Sequence, residues 1–181
     1  MRKILFFSPF SNIWEHSFPE ALIAESLNKS GFDVIFFSCG GCLNSYCSVM
    51  ASKDLPYNSS KSEKNKVCTE CIKTKDLIVN KFKFKGHELK KWINDTDIKE
   101  VDKILETINQ SNYLNLEIDG IQIGRIAIYE LLLKYKKISL DFNNTEWQHY
   151  LLYLRSTLIS FYACKKIISF EKPESVVVYN S

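Results

Sequence analysis

Two short apolar runs at the head of the chain, Arg2 to Phe7 and Phe32 to Ser38, are separated by one helical stretch closed by Gly31. Runs this short and continuous suit strands buried on both faces, the kind found in parallel sheets. Between them, Ser8 to His16 reads as a loop. Ser17-Phe18-Pro19-Glu20 reads as a capping box, with the Ser hydroxyl bonding the amide three residues on and the Glu reaching back. Phe18, Leu22, Ile23 and Leu27 share a helical face, and Gly31 stands just past the helix end. Strand, loop, helix, Gly, strand is a βαβ unit, and such connections are right-handed almost without exception. The expected fold class is therefore α/β: a Rossmann-like parallel sheet flanked by helices, with strands at Lys3–Phe7, Asp33–Phe37 and Ser175–Tyr179.

The rest of the chain fits one domain, since 181 residues is an ordinary domain length and no Pro/Gly/Ser-rich linker divides it. A helix is expected from about Thr74 to Phe82. Asp97 with Glu100 opens another, with Ile98, Val101, Leu105 and Ile108 on one face. A turn leads into a third helix from about Gly124. Asn144 or Thr145 caps a long fourth helix, in which Trp147, Leu151, Leu154, Leu158 and Phe161 recur near the 3.6 period. The chain stops two residues after the last strand, at Ser181, and this reads as a domain cut from a longer protein.

Composition excludes several classes. The 45% hydrophobic content rules out wholesale disorder, and a net charge of +3 is too mild to argue by itself for nucleic acid or membrane. Arg155, Lys165 and Lys166 interrupt the best candidate span, Tyr150 to Phe170, so no membrane helix is expected. Met1-Arg2-Lys3 followed by Ile4 to Phe7 imitates a secretory signal. Pro9, Asn12, Glu15 and His16 end its apolar core too soon. The chain reads as cytoplasmic.

Residues 39–91 break the rhythm. From Lys53 to Lys91 there are eleven lysines against five acidic residues. The ordinary reading is a solvated insertion after the second strand, and the alternative is a polyanion-binding face. Five of the six cysteines fall here, spaced Cys39-x2-Cys42-x4-Cys47-x20-Cys68-x2-Cys71. In a reducing compartment such clusters read as metal ligands, and two Cys-x-x-Cys pairs across a loop are the pattern of a structural zinc site. Gly40 and Gly41 loosen the first turn, while Lys66 and Lys73 flank the second pair and can offset thiolate charge. An iron–sulfur cluster is the alternative cofactor, since its ligands are also thiolates. Five candidates compete for about four positions. Cys164 falls in the long helix's apolar pattern and reads as a small buried hydrophobe.

In open α/β sheets, ligands lie outside the carboxyl ends of the strands. The Ser8–His16 loop is thus the first candidate site. Ser8, Ser11, Asn12 and Trp14 are candidate substrate contacts, and His16 or Glu15 the candidate general base, His16 preferred because imidazole titrates near neutrality. The loop has no glycine, and no Gly-x-x-x-x-Gly-Lys-Ser/Thr or Gly-x-Ser-x-Gly occurs anywhere. This argues against an NAD enzyme, a P-loop NTPase or a serine hydrolase.

The segment ILFFSPFSNIWEHSFPEALIAESL, the Cys-Gly-Gly-x-Leu-x3-Cys that follows, Cys68-x-x-Cys71, and Lys172-Pro173-x-x-Val176-Val177-Val178-Tyr179-Asn180 together resemble bacterial capsule and O-antigen glycosyltransferases. The likeness is to the N-terminal half of a GT-B-like enzyme. It implies a carbohydrate or lipid-linked acceptor on this chain and a nucleotide-sugar donor on a separate C-terminal domain. It further implies a place in the cytoplasm or peripheral at the inner face of the membrane, and no transfer by the chain alone. The family's pattern favours Cys39, Cys47, Cys68 and Cys71 as ligands, whereas the zinc-knuckle spacing favours Cys42. Two other functions compete. One is a zinc-stapled polyanion- or nucleic-acid-binding module. Its lysine-dominated face, with only Tyr57, Phe82, Phe84 and Trp92 as aromatics, makes nucleic acid a poor partner. The other is an iron–sulfur or thiol redox protein.

Overall fold

The computed structural model describes residues 2–138 and 141–178. Strand β1 (Lys3–Phe7) leads through helix α1 (Trp14–Lys29) to β2 (Asp33–Ser38). Helices α2 (Ser48–Ser52) and α3 (Lys61–Phe82) precede β3 (Lys85–Glu88). Three further helices, α4 (Asp95–Thr107), α5 (Ile123–Tyr135) and α6 (Asn144–Glu171), return the chain to β4 (Ser175–Val178). Tyr179, expected to end the last strand, lies outside the described residues.

The sheet has the order β3-β2-β1-β4, and every pairing is parallel. The α/β expectation therefore holds. The middles of β1 and β2 are continuous apolar runs because both faces are covered. Ile4, Phe6, Val34 and Phe36 meet Ala21, Ala24 and Ile78 from α1 and α3 on one side. Leu5 and Phe37 belong on the other to a larger core with Leu154, Leu158 and Ile159 of α6. Winding runs outward from β1 to β3, then the chain recrosses and lays β4 on β1's other side. The strand order reverses between β1 and β4, and such a switch point leaves a crevice at the strands' carboxyl ends.

Three local expectations change. Residues 39–91 are built into the sheet rather than set apart from it, because they carry α3 and β3. α3 starts thirteen residues before Thr74, at Lys61, where Ser60 and Glu63 form a reciprocal capping box. The Ser17–Glu20 box does not form, because α1 begins at Trp14 after Ile13 with no side-chain cap, and Ser17 lies inside the helix. Its hydroxyl donates instead to the Ser11 carbonyl at 2.8 Å. Downstream, the caps of α4 and α6 are Asn94 with Asp97 and Asn143 with Glu146, within a few residues of their expected starts. Among the described residues no helix is long and apolar enough to cross a membrane.

Candidate functional site

A cleft of about 750 Å³ opens at the β1/β4 switch point. Phe7 and Val178, the last residues of the two strands, line it, with Phe10, Ile13 and Leu43 from the adjoining loops. Ser8, Ser48, Ser156, Thr157 and Ser160 add hydroxyls. α5 contributes Gln122 from its N-terminal edge, then Arg125, Ile126, Tyr129 and Glu130, while α1 contributes His16, Ser17 and Glu20. An apolar lining with a few convergent polar groups is the usual make-up of a small-molecule site.

The loop after β1 is held rigidly. Ser8 N donates to the Phe37 carbonyl at 2.8 Å, Ser11 Oγ to the Ser8 carbonyl at 3.4 Å, and Ile13 N to the Phe10 carbonyl at 2.9 Å. The structure then divides the residues singled out in the sequence. Ser8 and His16 line the cleft. Ser11 faces a second, smaller cavity, and Asn12 Oδ1 accepts from Thr74 Oγ1 at 3.1 Å on α3. Trp14 stacks on Phe18 with ring centroids 4.9 Å apart, outside the cleft lining, and Glu15 is exposed and outside it too. Two carboxylates share the cleft with His16: Glu130 of α5, and Glu20, one helical turn on from His16 and 5% exposed. The α5 and α6 contributions were not anticipated.

Cys39, Cys47, Cys68 and Cys71 line the smaller cavity, of about 20 Å³, with Gly40 and Gly41. Gly40 has φ +63°, and a Cβ there would lie 2.8 Å from Glu88 Cβ, so the turn after β2 needs glycine. Leu43 N donates to Cys39 Sγ at 3.4 Å. The Cys42 thiol, with the amides of Leu43, Gly41 and Cys42, holds the Cys39 pKa down to about 7 against burial. Cys42 itself is pushed up, first by its bond to Cys39 and then by burial, and its thiol turns back to the Cys39 carbonyl at 3.2 Å. Burial pushes Cys47 up to about 12, opposed by the amides of Met50 and Val49. Cys68 and Cys71 are also raised by burial. They stand on α3, one turn apart, rather than in a second tight turn. As the side chains stand, no three His, Cys, Asp or Glu among the described residues form a group that holds a metal ion.

In the core, packed among Tyr46, Tyr57, Tyr135 and Tyr153, His149 of α6 is fully buried. Its Nδ1 meets Tyr135 Oη at 3.1 Å, and its ring stacks on Tyr57 and Tyr153. Burial, then the charges of Lys134 and Lys64, lower its pKa to about 4. The unfolded imidazole, with a pKa near 6.5, takes up a proton that the folded one refuses. Stability is therefore full above pH 6.5 and is lost as pH falls from 6.5 towards 4, by up to about 3 kcal/mol. Denaturant unfolding at pH 7 and pH 4.5 is expected to show this loss. His149→Phe is expected to flatten it; an unchanged slope in that variant would assign the acid sensitivity to other groups.

No protein-family model, curated protein or solved structure matches the chain. The fold and the cleft are what it offers as a guide to function.

Proposed function

We propose that the chain is the acceptor-side domain of a nucleotide-sugar-dependent glycosyltransferase that builds a surface polysaccharide. The observation that best supports this reading is the cleft: an apolar lining with hydroxyls, at the switch point of a Rossmann-like sheet, with no glycine-rich loop to cradle a pyrophosphate. On this reading the acceptor, a carbohydrate carried on a lipid, enters the cleft. Its sugar meets the hydroxyls, and its lipid-proximal part lies along Ile126 and Val178. The nucleotide-sugar donor is held by a separate donor-binding domain, so the chain alone transfers nothing. His16 takes the proton of the acceptor hydroxyl while that oxygen bonds to the anomeric carbon and the nucleoside diphosphate leaves. Glu20 is a positioning residue that favours the imidazolium as it forms. The work would be done in the cytoplasm, at the inner face of the membrane.

Calorimetric titration with octyl and methyl glycosides tests the reading. Octyl glycosides are expected to bind more than tenfold tighter, since each buried methylene contributes about 0.8 kcal/mol. Ile126→Asp, on the exposed rim of the cleft, is expected to abolish binding, and Leu77→Asp, exposed on α3, to leave it unchanged. Equal effects of the two substitutions, or binding of a polyphosphate in preference to any glycoside, would overturn it.

A further inference from the structure

We propose that Cys39 and Cys42 are a dithiol–disulfide couple: Cys39 attacks a disulfide, Cys42 resolves the mixed disulfide, and the two end bonded to each other. The turn Cys39-Gly40-Gly41-Cys42 follows directly on β2, at the carboxyl end of the sheet where ligands lie. Cys42 N donates to the Cys39 carbonyl at 3.5 Å, which closes a four-residue turn. Its two central residues both have positive φ, +63° at Gly40 and +81° at Gly41, as a type I′ turn requires. Such a turn holds its first and last Cα atoms less than about 7 Å apart, and a disulfide spans about 4.4–6.8 Å between Cα atoms. The sulfurs already face each other. The Cys42 thiol is within hydrogen-bond reach of the Cys39 sulfur, and lies 3.2 Å from the Cys39 carbonyl oxygen.

The two cysteines have different parts. Cys39 Sγ accepts from Leu43 N at 3.4 Å, and the amides of Gly41 and Cys42 face it too. Oriented amides favour an anion, and the thiolate is the form that attacks. Cys42 has its own amide and stands beside the Cys39 sulfur, so it keeps its proton until the second step. Both side chains are partly exposed, within reach of a small disulfide.

The exchange balances with a low-molecular-weight disulfide as oxidant. The Cys39 thiolate bonds to one of its sulfurs, the disulfide breaks, and the first leaving thiolate takes a proton. The Cys42 thiol then loses its proton and its sulfur bonds to that of Cys39, which expels the second thiolate. Two cysteine thiols are oxidised and one disulfide is reduced to two thiols. The couple is independent of what enters the cleft.

Oxidised glutathione is the probe for the full chain. Alkylation of the remaining thiols, followed by fragment-ion mass spectrometry, is expected to find one disulfide, Cys39–Cys42, with Cys47, Cys68, Cys71 and Cys164 alkylated. Reduced dithiothreitol is expected to restore both thiols. Cys42→Ser is expected to stop at a glutathione adduct on Cys39, because nothing resolves it. Cys39→Ser is expected to form an adduct on Cys42 about tenfold more slowly or worse. The mapping of the unsubstituted chain decides the couple even if a variant fails to fold. Both thiols left free, a lasting glutathione adduct, a disulfide from either cysteine to Cys164 or another cysteine, or zinc held by Cys39 in the purified chain would overturn it. Equal adduct rates in the two variants would overturn Cys39 as the attacking thiol.

Discussion

Gly124→Ala is expected to lower the melting temperature by about 10 °C, the largest loss for any single methyl group added near the cleft. A Cβ at Gly124 would sit 1.8 Å from the Tyr113 carbonyl oxygen and 2.9 Å from its carbon. That neighbour is backbone and cannot swing away. It belongs to a 3-10 turn at Tyr113–Asn115 whose following residue, Leu116, accepts a bond from Gly124 N at 3.2 Å. Tyr150 Oη of α6 donates to the Gly124 carbonyl at 3.3 Å, so three segments meet at this residue. Forcing them apart is overpacking, at a cost of about 3 kcal/mol or more, and each kcal/mol lowers the melting temperature of a chain this size by about 2–4 °C. A thermal scan checks it. A melting temperature within about 2 °C of the unsubstituted chain would mean that α5 packs less closely on the turn than described.

On the proposed reading, sugar transfer measured with the chain joined to a donor-binding domain is expected to fall by about 10²–10⁴-fold in His16→Ala. The loss should lie in turnover rather than in acceptor binding, and the melting temperature should hold, because His16 is only partly buried at the cleft wall. Glu20→Gln is expected to give a smaller loss, with a shift in the pH profile of the rate. Glu15→Ala is expected to leave the rate unchanged, since that side chain is exposed and outside the cleft lining. Unchanged turnover in His16→Ala would remove this loop from the chemistry.

The parts of this architecture that were legible in the sequence are those where burial writes a continuous pattern. Ile4 to Phe7 of β1 and Val34 to Phe37 of β2 are unbroken apolar runs because helices cover both faces, and α6 keeps its period over 28 residues. β3 left no such mark. Lys85-Gly86-His87-Glu88 is a polar edge strand, half of it exposed, and edge strands are polar for good reason. The first half of α3 was hidden likewise. Of its 22 residues only Val67 and Ile78 are buried, although the Ser60–Glu63 box that starts it was readable. Ser17 misled because a serine before a helical run can cap it or can tie down a preceding loop, and only the fold decides which. The loop side of the cleft followed from the rule for strand ends. The opposite wall did not, since Arg125, Tyr129 and Ser160 are polar helix positions more than a hundred residues from Ser8. On a linear chain they look like ordinary solvent-facing side chains.

Mapping an octyl glycoside onto the chain by backbone and side-chain NMR shifts tests the assignment of the cleft most directly. The account predicts shifts concentrated at Ser8, His16, Ile126, Tyr129 and Ser160, with α3 and the exposed lysines Lys66 and Lys73 unmoved. Shifts confined to α3, or spread evenly over exposed apolar residues such as Leu77 and Phe170, would contradict it.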